Sequence, residues 1–290
     1  MNESQVSTSL SPSRFPVAYT PGTPTEIHPL YGVVAEEVGW VPAPGYVLRR
    51  DRVMSALSPM PRGSLLEIGC GSGALLHDLM GMGFRCEAIE TASSARRVAR
   101  HINRATPQLT LHSGWVHPWK ARFDYVVALE VLEHIEDDVE ALRSWSRWLK
   151  PNGTLVVSLP AHAKRWGVDD EAVGHFRRYE KQGLIELLDR TGFGVEHVEC
   201  WGYPLANMIR PLRNFKYRQK LKRRNVDPAG EEQRAEMSAE SGVDRSFEAR
   251  LYPLQKSRVG TAVMSWFLEL QKTFAGTELG NGLLVVARKR

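Results

Sequence analysis

Cysteine is scarce in this chain. Among 290 residues only Cys70, Cys86 and Cys200 occur, widely separated and without a C-x-x-C pair. That argues against a disulfide framework and against a cysteine zinc site, and it fits a reducing cytoplasm. Long apolar runs are missing as well: none approaches the roughly 20 residues that span a bilayer. No apolar segment follows a basic start, so no secretory signal is expected. Excess charge is small. A net of +5 suits an anionic ligand or an anionic membrane surface but does not by itself argue for nucleic acid, and no nucleic-acid-binding module is recognisable.

What the chain does have is a regular alternation. Residues 1–25, rich in Ser, Pro and Thr, read as a disordered tail, and Ile27 to Leu57 read as helices interrupted by VPAPG at 41–45. Strand-like segments then follow at 64–70, 85–90, 108–114, 123–131, 154–160, 194–203 and 282–290. Between them, 73–83, 92–105, 137–150 and 180–193 have helical spacing. Strands alternating with helices predict an α/β fold, a doubly wound parallel sheet covered on both faces. The last two strands break the rule, because residues 204–281 look inserted between them. With that insertion bypassed, strands six and seven can pair as an antiparallel hairpin. The expected organisation is therefore one domain from 26–203 and 282–290, carrying a helical basic insertion at 204–281.

The stretch SLLEIGCGSGALLHDL (64–79) joins the first strand to the first sheet-covering helix. Gly69, Gly71 and Gly73 let the backbone approach a ligand closely, and the helix N-terminus offers free N–H groups. With Ala74 the run also satisfies the dinucleotide fingerprint, so the corner alone leaves NAD(P) and other adenosine ligands open. Two acids narrow the choice. Glu90, at the end of the second strand, can accept both ribose hydroxyls and repels a 2′-phosphate. Glu67 stands just before the first glycine, where a carboxylate beside a pyrophosphate costs free energy. A ligand carrying an ammonium and a sulfonium meets no such objection, so S-adenosylmethionine is preferred.

EIGCGSG with Glu90 resembles the first two motifs of class I S-adenosylmethionine-dependent methyltransferases. FDYVVALEVLEHIEDDVEALRSWSRWLKPNGTLVVSLPAH (123–162) resembles the fourth- and fifth-strand segments of that family, and GHFRRYEKQGLIELLDRTGF (174–193) a segment of a bacterial small-molecule subgroup. The resemblance implies a Rossmann-like methyltransferase fold: a seven-stranded, mostly parallel sheet whose last strand is inserted antiparallel. It also implies that the backbone of Glu130 lies near the methionine part of the cofactor. In one respect the chain departs from the family. Many relatives place an acid after the third strand to bind adenine, whereas here Trp115 holds that place; stacking on adenine and simple core packing both remain open for it, as core packing does for Trp119.

In EVLEH, Glu130, Glu133 and His134 lie at i, i+3 and i+4 and share a face if the stretch is helical. His134 then faces the acceptor as a base or anchor, joined by His175 from GHFRRY. The competing reading, less favoured, makes Glu130, Glu133, His134 and His175 ligands of a divalent metal, by resemblance to the ExxEH of small-RNA terminal 2′-O-methyltransferases and of some quinone-biosynthesis O-methyltransferases. Residues 160–173 read as a lid. Arg178 and Tyr179 are further candidates for the pocket; Asp169 and Asp170 are weighed for it too but read rather as a solvated loop, and His162 is ambiguous.

The insertion opens with RPLRNFKYRQKLKRR (210–224), basic residues interleaved with apolar ones, followed by a polar acidic stretch at 231–245 and an apolar helix-like one at 260–274. The first suits phosphate groups or peripheral contact with an anionic membrane; a solvated basic helix is the plainer alternative. Taken together, these features predict methyl transfer from S-adenosylmethionine to a small-molecule or lipid-linked acceptor, most naturally at a hydroxyl oxygen, in the cytoplasm or peripherally at a membrane. The alternatives are an NAD-dependent oxidoreductase built on the same glycine turn and a non-catalytic methyltransferase-like partner protein.

Overall fold

Seven strands lie in the order β5-β4-β3-β6-β7-β9-β8. They are β3 (Ser64–Ile68), β4 (Arg85–Ile89), β5 (Thr110–His112), β6 (Phe123–Leu129), β7 (Leu149–Pro160), β8 (Phe193–Trp201) and β9 (Gly282–Lys289). The first five are parallel, while β9 slots between β7 and β8 and runs antiparallel to both. The molecule is a computed structural model that describes residues 26–106, 109–114, 118–224 and 245–290. Four features expected from the sequence lie outside the described residues: the tail at 1–25, the acidic stretch at 231–244, part of the third strand's surroundings, and Trp115.

The central strands are near-continuous apolar runs because both faces are covered. Neighbouring residues enter opposite cores: Leu65, Val127 and Val156 face one, Leu66, Val126 and Val157 the other. Three helices, α1 (Pro44–Leu57), α2 (Ala74–Gly81) and α3 (Ser93–Ile102), send residues such as Leu48, Leu76 and Ala99 into the first core. The second is filled by α4 (Asp138–Trp148) and α6 (Lys181–Arg190) through Trp145, Trp148, Leu184 and Leu188. A short α5 (Val168–Val173) lies between β7 and α6.

Between β8 and β9 run α7 (Leu205–Arg224), α8 (Ser246–Gln255) and α9 (Arg258–Phe274). Met264 and Leu268 of α9 enter the first core, and Gln271 Nε2 donates to the Leu48 carbonyl at 3.1 Å, so this helix is bound to the domain through α1. No described helix is long and apolar enough to cross a membrane.

The segment before α1 departs from the helical expectation for Ile27–Leu57. Residues Glu26–His28 (β1) and Gly32–Val34 (β2) form a hairpin, and a 3-10 turn at Glu36–Val38 follows. The reason is local: Gly32 and Gly39 adopt φ of +76° and +74°, which break a helix, and Val33 and Val34 are buried as a strand pair. Helix begins only at Pro44, where proline's fixed φ suits a first turn.

Candidate functional site

Because strand order reverses at β3 and β6, a crevice opens at their carboxyl ends. A cavity of about 1000 Å³ fills it and extends to α7 and α8. That volume is at the upper end for one small ligand and leaves room for two.

The floor is the corner after β3. Gly69, Gly71 and Gly73 have φ of +67°, +54° and +70°, which side chains rarely tolerate. A Cβ on Gly69 would stand 2.6 Å from Val131 Cγ2, so the absent side chain is also what lets the corner pass β6. Gly69 and Gly71 line the cavity. Gly73 does not; it caps α2 and packs on α3, where an added Cβ would come within 2.8 Å of Asn103 Nδ2.

Glu90 stands across the corner. Its Oε2 accepts from the Gly71 N–H and its Oε1 from the Ala92 N–H, each at 2.8 Å, leaving one further lone-pair direction on each oxygen. Burial raises its pKa against these two hydrogen bonds, which lower it. Glu67 also lines the cavity and is buried, and its Oε2 has no hydrogen-bond partner among the described residues. Burial pushes its pKa up to about 8, with nearby Arg49 acting the other way.

The EVLEH stretch is not an α-helix. Glu130 adopts φ +56° and its N–H still donates to the Ser158 carbonyl at 2.8 Å, prolonging the sheet ladder; a single 3-10 turn, Leu132–His134, follows. Glu130 therefore does not share a face with Glu133 and His134. Its Oε1 accepts from Ser158 Oγ at 2.8 Å and lies 3.7 Å from Arg49 Nη1. Glu133 and His134 meet His175 instead, with one donor atom from each all within 4.8 Å of one another. This corrects the four-ligand reading: Glu130 is outside the cluster.

The cluster is short of partners. Among the described residues neither carboxylate oxygen of Glu133 has a hydrogen-bond partner, and burial, then the charge of Glu130, raises its pKa well above the usual range. His134 Nδ1 has no hydrogen-bond partner among the described residues, and burial together with His175 pushes that imidazole down to about 3. His175 is oriented: its Nδ1 is 2.9 Å from Asp170 Oδ1, which leaves Nε2 facing Glu133 Oε1 at 3.8 Å. The two imidazole rings meet edge to face at 4.7 Å.

Asp169 and Asp170 are buried rather than solvated, a second correction. The cause is a set of arginines from α7 and the 174–179 segment. Asp170 accepts from Arg178 Nε with both oxygens at 2.8 Å; Asp169 accepts from Arg210 and Arg213. Arg178 lines the cavity but its guanidinium is held by this network. Tyr179 turns away to Asp138, His162 lies outside the cavity lining against the Gly280 carbonyl, and Trp119 packs on Phe123 and Trp148. Sequence reading missed Arg49 and the α7 and α8 residues of the wall, and it preferred a solvated loop for Asp169 and Asp170, which line the cavity. Only Asp170 left a signal, five residues before His175.

The fold matches solved structures that share little sequence with it. A Galdieria sulphuraria chain assigned as a sarcosine dimethylglycine methyltransferase is 14% identical, with 91% of this chain and 93% of that one covered and a TM-score of 0.52. A Bacillus halodurans chain assigned as a methyltransferase is 17% identical, covering 82% and 98%, also at 0.52. In sequence, the chain is similar to the ubiquinone biosynthesis O-methyltransferase of Alkalilimnicola ehrlichii, 31% identical over 117 residues, and to the mitochondrial one of Schizosaccharomyces pombe, 33% over 100. Those stretches are 38% and 32% of this chain and 47% and 36% of the relatives, so the chain spans less than half the length of each. A family model described as a methyltransferase domain matches residues 46–198, more than half of the 290, and the chain belongs to that family.

Proposed function

We propose that this chain transfers a methyl group from S-adenosylmethionine to a hydroxyl oxygen of a small-molecule or lipid-linked acceptor, in the cytoplasm. The observation that carries the reading is Glu67, a buried carboxylate with an unpartnered oxygen beside a left-handed glycine corner. Burial holds it protonated in the free protein, so it ionises only against a cationic ligand, a partner that the pyrophosphate of a dinucleotide does not supply. Glu90 fits the ribose, since backbone N–H groups fix both its oxygens while leaving each able to accept again. Oxygen as the acceptor atom is supported by the names of the sequence relatives.

When bound, the cofactor supplies a sulfonium methyl open to in-line displacement. Everything else is alignment by the chain. Glu67 and Glu90 hold the two ends of the corner's ligand, and the Gly69 and Gly71 backbone sets its depth. His134, neutral at pH 7 because burial holds its pKa near 3, acts as a hydrogen-bonding anchor rather than a strong base. His175, braced by Asp170, faces the same space.

A second reading is favoured by the cluster itself: Glu133, His134 and His175 hold a divalent cation. A neutral imidazole, a carboxylate with two free oxygens and a second imidazole oriented by Asp170 make a fitting donor set. The cation would lower the pKa of an acceptor hydroxyl. Elemental analysis of the purified chain with activity before and after chelation tests it: metal below stoichiometry and activity indifferent to chelator count against it.

Calorimetry with S-adenosylmethionine tests the main reading. Binding is expected in the micromolar range or tighter (about −8 kcal/mol), weakened at least about tenfold in Glu90→Ala, and a labelled-methyl assay on lipid and aqueous extracts then reports the acceptor class. Absence of binding, with Glu90→Ala changing nothing, overturns it.

A further inference from the structure

Large apolar side chains left exposed are concentrated in one part of the molecule. Among the described residues, ten such side chains are exposed, and eight belong to the helices α7, α8 and α9. On α7, Met208, Leu212 and Phe215 follow at i, i+4 and i+7, so they form one stripe, with Phe215 60% exposed. Val259, Val263 and Trp266 repeat the same spacing along α9. On α8, Leu251 and Leu254 (71% exposed) join Leu212 on the wall of the cavity itself. A helix covered by water alone does not keep such stripes, and a patch of this kind marks a docking surface.

Charge selects what docks. Residues 205–224 contain eight Lys or Arg and no acid, of which Arg210 and Arg213 are held by Asp169, and 246–268 add Arg250, Arg258 and Lys256, the last paired with Glu36, against a single acid, Glu248. Glu248 is already paired with Lys216, 3.4 Å away. Apolar stripes flanked almost wholly by basic residues are the pattern of helices that lie in the interface of an anionic bilayer. Such helices lie on a membrane and do not span it, in keeping with the absence of a described helix long and apolar enough to cross one.

We infer that α7, α8 and the start of α9 form a docking face for the surface of an anionic lipid bilayer, with the rim of the cavity, at Leu212, Leu251 and Leu254, set against the membrane. The docking face stands on exposure and charge and holds whether or not the chain transfers methyl groups. Its consequence rests on the proposed function: an amphiphilic acceptor enters the cavity from the bilayer without crossing water.

Flotation of the full chain with vesicles tests the face. Vesicles of phosphatidylcholine with about 30% phosphatidylglycerol are expected to bind the chain at least about tenfold more than phosphatidylcholine alone, and about 0.5 M salt to reverse most of the gain. Arg218→Glu with Arg258→Glu, both exposed, should cut partitioning by about tenfold or more, at roughly 1 kcal/mol per charge near the surface. Leu212→Ser, Phe215→Ser and Leu254→Ser together should do likewise with little change in Tm, since all three residues are more than half exposed. Three results overturn the inference. One is equal, weak binding to both vesicle types. Another is a dimer in sedimentation that the serine variants dissociate, which would make the face a contact between copies. The third is binding to a nucleic-acid oligonucleotide but not to vesicles. Calorimetry with S-adenosylmethionine, run on the same variants, shows separately whether the cofactor reading stands.

Discussion

Glu67 carries the sharpest prediction available at the level of single residues. In the free protein it keeps its proton up to about pH 8, whereas its ordinary value is 4.5. Between those values the unfolded chain releases the proton and the folded chain retains it, so stability falls as pH rises through that window. Glu67→Gln removes the slope. Urea unfolding should find the variant more stable than the parent at pH 8, by up to a few kcal/mol at ~1.4 kcal/mol per pH unit, and equal to it near about pH 4. A cationic ligand reverses the preference by favouring the carboxylate, so affinity for S-adenosylmethionine should rise towards pH 8 in the parent and stay flat in the variant, as calorimetry in a pH series would show. Both acids of this corner are legible in the sequence because their neighbours, the glycines and the strand ends, are close along the chain. Arg49 is not, because nothing near it in α1 announces that this turn of the helix faces Glu130.

Elements explain why the corner and the connection from β7 to α6 hold their shape. Gly69→Ala brings a Cβ to 2.6 Å from Val131 in a backbone conformation of φ +67°, and should cost about 2 kcal/mol or more in chemical denaturation. The link between α5 and α7 is electrostatic. Burial alone would raise the pKa of Asp169, but Arg210 and Arg213 override it and hold the carboxyl at about 2. Stability from this acid is therefore full above its ordinary value of 3.8 and is lost as pH falls through about 2. Asp169→Ala leaves Arg210 without its carboxylate partner and should destabilise by about 3 kcal/mol, seen as a lower urea midpoint. Helical spacing misled in EVLEH for a reason visible in the backbone: the sheet ladder runs one residue past β6, to Glu130, and the chain then turns too tightly for a shared helical face. Asp169 misled for a different reason, since Arg210 and Arg213, which pair with it, come from α7, an element distant along the chain.

For the molecule as a whole, cofactor binding to a cavity framed by β3, β6 and the helices before and after them should stabilise the folded state. At ligand about 100 times its Kd the gain is about 2.7 kcal/mol, a Tm rise of a few degrees that NAD at the same concentration should not reproduce. The sequence alone determined the α/β alternation, the sheet buried on both faces and the acid-flanked glycine corner, because each is written in contiguous residues whose periodicity and spacing report local geometry and burial. Only the tertiary structure decided that Glu133 and His134 meet His175 and leave Glu130 aside, that β1 and β2 form a hairpin, and that the apolar stripes of α7 and α9 stay uncovered. Those outcomes depend on which surfaces remain once distant segments have packed, and a linear pattern carries no record of what a face will find opposite it.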